Sequence, residues 1–285
     1  MAYLLKGIEV VRSMKEELIS RVEKLKKNGV EPCLGIVRVG ERADDLSYER
    51  GAIKRCEGAG VACRAFSFPA DIGNDDFVRE FERINADRSI HGILVLRPLP
   101  AHIDGERIKG IIDTKKDIDC MSDISIAKVF AADDSGYAPC TPRAVIEMLR
   151  HFNIPLKGKR VTLVGRSMVV GKPLAMMLLK EHATVTICHT RTVDIEGECK
   201  KAEILIAAAG VPKMIKAAHV SEGAVIIDVG INVDEGGNLC GDVDFEAVEA
   251  VAGSITPVPG GVGTVTTSVL AMHTIMAAEA MRCTQ

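Results

Sequence analysis

An α/β fold in two domains, the second of Rossmann type, is what this sequence predicts, and three observations carry that reading. Short apolar runs alternate with longer amphipathic stretches, the pattern of parallel strands covered by helices. The alternation forms two series, with a polar, turn-rich stretch, Asp113–Tyr137, between them. The second series opens on Val161–Pro173, VTLVGRSMVVGKP, where an apolar strand breaks into a glycine-bounded loop and resumes as a helix.

The first series runs through Leu34–Val39 (LGIVRV), a helix from about Ser47 to Ala59, Val61–Phe68, a helix from about Asp75 to Ala86, and Gly92–Leu96 (GILVL). The second begins after Pro139-Cys140-Thr141-Pro142, with strands near Val161–Val164, Thr184–Cys188, Ile204–Ala208 and Val225–Val229. The Asp113–Tyr137 stretch is expected to be a site-forming loop region. Val262–Met281 reads as a helix too long to be a tail. It is expected to pack back on the first domain, so that residues 1–141 and 265–285 form one domain and residues 142–264 the other.

Composition narrows the function classes. At 285 residues with 47% hydrophobic content, the chain can bury two cores. A net charge of −3, with signs alternating along the helical stretches, offers no basic field for nucleic acid. Nine cysteines without CxxC spacing read as reduced thiols of an intracellular protein and imply no metal site. The N-terminus turns charged before a signal-type apolar core forms, and no run approaches the ~18 apolar residues of a membrane span. A cytoplasmic protein is expected.

Dinucleotide binding is the chemistry that the Val161–Pro173 stretch suits. The loop after the first strand of a Rossmann unit needs glycine where backbone approaches the pyrophosphate, and the next helix turns its N-terminal N–H groups toward the phosphates. Gly165 and Gly171 supply those positions, although the spacing is GxSxxxG and is shared with ordinary βα turns. The next strand, ATVTIC, ends in His189-Thr190-Arg191. An NAD-selective site usually offers an acid to the ribose 2′-hydroxyl there, whereas a guanidinium suits a 2′-phosphate, so the local reading favours NADP, with NAD as the alternative. Farther on, Ser254–Thr264, SITPVPGGVGT, is stiff at its prolines and open to a flat ligand at its glycines.

These motifs, together with HGILVLRPLP (His91–Pro100), KDIDCM (Lys116–Met121), PCTP and IIDVGIN (Ile226–Asn232), resemble the methylenetetrahydrofolate dehydrogenase/cyclohydrolase family over nearly the whole chain. The resemblance implies an N-terminal α/β folate-binding catalytic domain, a Rossmann NAD(P) domain, a cleft where the pterin meets the nicotinamide, and a homodimer. It further implies hydride transfer from 5,10-methylenetetrahydrofolate, with alignment as the protein's main task. Asp119 would hold the amino edge of the pterin, and Tyr48 would stack near the reacting ring. By themselves these two read as a loop carboxylate and a half-buried helix residue. Leu96, Pro257, Gly260 and Gly261 would line the folate. Gly165, Gly171, Ile231, Pro259, Gly260 and Gly261 would receive the dinucleotide, with Arg166, Ser167, His189, Thr190 and Arg191 around the adenosine ribose and its phosphate.

The chain also departs from the family pattern. Bifunctional members carry, four residues after the tyrosine, a lysine that drives hydrolysis of the methenyl product to 10-formyltetrahydrofolate; here that position is Ala52. Lys54 lies about 240° around the helix from Tyr48, against about 40° for Ala52, and Arg55, nearly two turns on, carries a guanidinium, which is a poor proton shuttle. Leu96 stands where a glutamine supports that lysine, and Arg97 where leucine is usual. Asp45 replaces a serine, Cys120 a glycine, Thr264 a proline and His273 an asparagine. The sequence therefore predicts a dehydrogenase with weak or absent cyclohydrolase activity. The alternatives are a bifunctional enzyme using a non-standard residue and a non-catalytic folate- or nucleotide-binding regulator.

Overall fold

The computed structural model describes residues 1–234 and 236–282. In chain order the elements are β1 (Tyr3–Leu4), α1 (Gly7–Lys27), β2 (Cys33–Val39), α2 (Ala43–Gly58), β3 (Ala62–Phe68), α3 (Asn74–Ala86), β4 (Gly92–Val95), α4 (Gly105–Ile111), α5 (Asp123–Phe130) and α6 (Cys140–His151). There follow β5 (Arg160–Val164), α7 (Gly171–Lys180), β6 (Thr184–Cys188), α8 (Ile195–Lys200), β7 (Ile204–Ala207), β8 (Val225–Asp228), β9 (Asn232–Val233), β10 (Leu239–Cys240), α9 (Phe245–Glu249), β11 (Ser254–Ile255) and α10 (Val262–Arg282). The last three residues of the predicted C-terminal segment, 283–285, lie outside the described residues. No helix among the described residues is long and apolar enough to cross a membrane.

The chain divides into two compact units. One comprises Ser13–Cys140 with Thr267–Gln285, and the other Met1–Arg12 with Thr141–Thr266. In the first, three parallel strands run in the order β3-β2-β4. Every residue of central β2 (CLGIVRV) is buried, as the apolar run Cys33–Val37 requires of a strand covered on both faces, and its one charged residue, Arg38, is buried in an ion pair with Glu49. The helix α3 buries Phe77, Val78, Phe81 and Ile84, one apolar stripe at helical spacing, against the core formed by Val37, Ile93 and Ile108. The C-terminal helix joins this unit: from α10, His273 Nδ1 bonds the Ile118 carbonyl at 2.8 Å, and Glu279 receives the Arg21 guanidinium at 2.6 Å.

The second unit holds a six-stranded parallel sheet in the order β1-β11-β8-β7-β5-β6. Its core gathers Val164, Cys188, Leu205, Ile226 and Ile255. After β5 the chain places β6 on one side and then crosses to put β7 and β8 on the other. The order therefore reverses between β5 and β7, and beyond the carboxyl ends of those strands is where an open α/β sheet receives its ligand.

Two expectations change. The sequence puts Met1–Arg12 with the first domain, but β1 pairs in register with β11 (Tyr3↔Ser254, Leu4↔Ile255) and brings this segment to the six-stranded sheet. A two-residue strand carries no periodicity from which to foresee that. The Asp113–Tyr137 stretch, expected to be loop, contains α5. Ser122 caps that helix by accepting the Ser125 N–H at 3.2 Å, and the Asp117 carboxylate accepts the N–H groups of Met121 and Ser122 at 2.8 and 2.9 Å. Polar composition had hidden a capped helix start.

Candidate active site

In the six-stranded unit, the residues expected to meet a dinucleotide gather at the carboxyl edge of β5, β6 and β8. Gly165 follows β5 with φ of +132°, and a Cβ built there would stand 2.1 Å from the Ala208 carbonyl oxygen. Gly171, which starts α7, would place a Cβ 2.3 Å from the Gly165 oxygen. Only glycine fits either position, so the backbone of this loop stays bare toward whatever approaches it. The Ser167 hydroxyl accepts the N–H groups of Val170 at 3.1 Å and Gly171 at 3.4 Å, at the turn that leads into α7. Arg166, Thr190 and Arg191 are exposed. His189 is braced after β6: its N–H donates to Thr192 Oγ1 at 2.8 Å, and its Nδ1 accepts the Arg191 N–H at 3.1 Å. The first acid after β6, Asp194, is occupied as the cap of α8, accepting the Gly197 N–H at 3.0 Å.

The proline- and glycine-rich loop after β11 is fixed from within. Gly260 has φ of +106° and its carbonyl accepts the Gly7 N–H at 2.8 Å, while a Cβ on Gly261 would stand 2.5 Å from the Pro257 oxygen. Pro259 and Gly260 are exposed, Pro257 is half-buried, and Ile231, after β8, is 66% exposed. At the end of β8 sits a residue that motif reading passed over. The Asp228 carboxyl is pushed up to about 6, chiefly by burial and further by the neighbouring Asp242 carboxylate, against backbone N–H bonds that pull it down.

That shift has a sign. The folded value lies above the ordinary 3.8, so between the two the native state keeps a proton that the unfolded chain has released. The stability Asp228 contributes is complete below about pH 4 and is lost as pH rises to about 6. An interval of about 2 pH units is worth roughly 3 kcal/mol. Urea midpoints of the wild type are expected to fall between pH 4.5 and 7 by more than those of Asp228→Asn; equal slopes would assign the pH dependence elsewhere.

In the three-stranded unit, the KDID segment sorts its own residues into structural and available. Lys116 Nζ donates to the carbonyls of Asn85 and Asp87, both at 2.7 Å, and Asp117 caps the start of α5. Asp119 is held more loosely. Its Oδ1 accepts the Cys140 N–H at 3.0 Å, its Oδ2 faces Arg97 Nη2 at 3.3 Å, and its side chain keeps 24% exposure. Burial raises its pKa, while the Cys140 N–H and the Arg97 charge oppose the rise. Cys120, next to it, adopts φ of +55°, a conformation that favours glycine.

The helix α2 carries Tyr48 at 37% exposure, with Ala52 on its buried side at 0% and Lys54 exposed. Asp45, one turn before Tyr48, is buried and stands 4.0 Å from the Arg42 guanidinium. Glu49 pairs at 2.8 Å with Arg38 of β2. Leu96, at the end of β4, is buried at 7%. Motif reading missed the ion pair between Arg97 and Asp119, since 22 residues separate the partners and only the fold joins them.

A unit built on a six-stranded parallel Rossmann sheet with a glycine-lined switch point, and a second α/β unit with a half-buried carboxylate, define the class: a two-domain NAD(P)-dependent oxidoreductase. Residues 5–119 match the family model described as tetrahydrofolate dehydrogenase/cyclohydrolase, catalytic domain, and residues 139–282 match its NAD(P)-binding domain. The chain belongs to the tetrahydrofolate dehydrogenase/cyclohydrolase family. It is 53% identical, over 97% of its length and 96% of the relative's, to the protein named bifunctional protein FolD of Clostridioides difficile (strain 630). Its structure is similar to that of the bifunctional FolD methylenetetrahydrofolate dehydrogenase/cyclohydrolase of Campylobacter jejuni, with a TM-score of 0.95, 37% identity, and 99% and 100% of the two chains covered. It is also similar to the Trypanosoma brucei methylenetetrahydrofolate dehydrogenase-cyclohydrolase complexed with NADP and an inhibitor, with a TM-score of 0.92, 33% identity and 98% of each chain covered.

Proposed function

We propose that this chain oxidises 5,10-methylenetetrahydrofolate to 5,10-methenyltetrahydrofolate with NADP+ preferred over NAD+, and also hydrolyses the methenyl product to 10-formyltetrahydrofolate. Asp119 is the observation that carries the folate assignment. Alone among the charged residues of KDID it is neither spent on a helix cap nor buried against backbone carbonyls, and its raised pKa suits a carboxyl that takes hydrogen bonds from a pterin amino edge. Tyr48 stacks on the reacting ring, and Leu96, Pro257, Gly260 and Gly261 line the pterin.

The bare backbone at Gly165 and Gly171 fits a pyrophosphate. Arg166, Ser167, His189, Thr190 and Arg191 surround the adenosine ribose, and because Asp194 is spent on its helix cap, no free acid follows β6 to select a 2′-hydroxyl. Ile231 and Pro259 meet the nicotinamide half. Bound NADP+ supplies a hydride acceptor. The methylene carbon gives up a hydride, the folate nitrogen lone pairs stabilise the cation left behind, and the protein has no proton to move in that step. Its contribution is alignment.

Hydrolysis is supported by the Clostridioides difficile relative, whose name is bifunctional at 53% identity. It requires a group other than the family's lysine, since residue 52 is a buried alanine. The second reading, a dehydrogenase with weak or absent hydrolysis, is favoured by Ala52 and Leu96 together, because a positioned acid–base group is worth ~10²–10⁴-fold.

One assay separates them. Purified protein is mixed with methylenetetrahydrofolate and either dinucleotide, and methenyl and formyl products are followed. Methenyl formation with higher kcat/KM for NADP+, followed by formyl at a rate above buffer, is expected. Formyl at the buffer rate establishes the second reading, and no methenyl with either dinucleotide overturns both. A homodimer is the assembly we propose from the resemblance, to be read by light scattering.

A further inference from the structure

Two buried carboxylates in the six-stranded unit serve none of the roles proposed above. Asp242 is fully buried and Asp228 nearly so. They are linked in series. From the end of β8, Asp228 accepts the N–H groups of Asp242 at 3.0 Å and Val243 at 2.9 Å, and that of Gly230 at 2.9 Å. Asp242 reaches back to the loop after β7: its Oδ2 accepts the N–H groups of Ala209 at 2.5 Å and Gly210 at 2.9 Å. Its Oδ1 accepts the Val211 N–H at 3.0 Å and the Asn232 side-chain amide at 2.8 Å.

Two glycines exist to let these carboxylates in. A Cβ on Gly241 would stand 1.9 Å from Asp228 Oδ2, and one on Gly230 would stand 2.3 Å from Asp242 Oδ1. Three successive N–H groups beyond the carboxyl end of β7 lie outside the ladder of the sheet, and a single carboxylate gathers all three. The gathered loop is not remote. Ala208, just before it, donates its N–H to the Val164 carbonyl at 2.8 Å, and the oxygen of Ala208 is what Gly165 makes room for. The same pair of carboxylates also fixes both neighbours of Ile231, Gly230 through Asp228 and Asn232 through Asp242.

We propose that Asp242, supported by Asp228, is a positioning residue for the dinucleotide: it sets the Ala209–Val211 loop and the exposed Ile231 on the side of the switch point opposite β6, where the nicotinamide half lies. The proposal rests on the reading of this unit as the NAD(P) site. An acceptor with two oxygens is required. In Asp242→Asn one of them becomes an NH2 group facing backbone donors, and the loop has to release at least one N–H.

The test is made on the full-length protein with Asp242→Asn and Asn232→Ala. For Asp242→Asn, the Kd and KM for NADP+ are expected to rise about 10- to 100-fold. The kcat at saturating dinucleotide should fall as well, because the hydride acceptor loses its alignment, and folate affinity should be unchanged. For Asn232→Ala, which removes one donor and keeps the carboxylate, a smaller rise in the same constant is expected. Should Asp242→Asn not fold, Asn232→Ala and amide exchange decide: in the wild type the Ala209–Val211 amides should be protected without ligand. A dinucleotide Kd unchanged in either folded variant while its melting temperature drops would leave only a structural role and overturn the proposal, as would unprotected amides. A wild type that binds neither dinucleotide fails the proposed function itself, whereas normal binding by both variants fails the positioning role alone.

Discussion

Replacing Asp119 with alanine is expected to weaken folate binding by about 10- to 150-fold, the range spanned by a charge-assisted hydrogen bond of roughly 1.5–3 kcal/mol. The carboxyl is half-withdrawn from water and held by one backbone N–H and one guanidinium, so its remaining lone pairs are oriented at no further entropic cost to a ligand. Removing it also frees Arg97. A cation left without its partner repels the methenyl product, whose N5–C–N10 bridge is positively charged, so the loss is expected to be larger for methenyl- than for methylenetetrahydrofolate. Dinucleotide Kd, measured on the same sample, should be unchanged. Equal folate affinity in wild type and variant would mean that Asp119 serves Arg97 and Cys140 only.

The strand and helix series was legible because both patterns are strong: β2 is apolar at every position but Arg38, and α3 spaces Phe77, Phe81 and Ile84 at helical intervals. The predicted strand Thr184–Cys188 coincides with β6, and Asp75–Ala86 with all of α3 but its first residue. What stayed hidden depends on pairing across long sequence distance. Tyr3 meets Ser254, Arg97 meets Asp119, and Asp242 meets Ala209, and none of these leaves a local pattern. The glycine positions at 165, 171, 260 and 261 were readable as glycine, but the reason for them, a carbonyl within 2.5 Å of the missing Cβ at three of the four, belongs to the fold. The same holds for α5, whose cap is made by Ser122 with Asp117 one turn earlier, inside a stretch that composition marks as loop.

Gly165→Ala is expected to destabilise the six-stranded unit by about 2–5 kcal/mol, combining a left-handed backbone cost of ~1–2 kcal/mol with overpacking of ~1–3 kcal/mol. The methyl group would meet the Ala208 oxygen at 2.1 Å and its carbonyl carbon at 2.7 Å. Neither atom is the tip of a flexible side chain. Ala208 is tied to Val164 by its own N–H, and the next residue is tied to Asp242, so the carbonyl can retreat only by breaking the junction between β5 and β7. That junction is the switch point, so dinucleotide affinity is expected to fall by more than the hundredfold set for Asp242→Asn, while folate affinity is retained. Gly110→Ala is the matched control, since no atom lies within 4 Å of a Cβ there, and in α4 it is expected to be neutral or to stabilise by up to about 1 kcal/mol. If urea unfolding and NADP+ titration place Gly165→Ala alongside Gly110→Ala, the loop after β5 is an ordinary βα turn and the dinucleotide must be sought elsewhere on the chain.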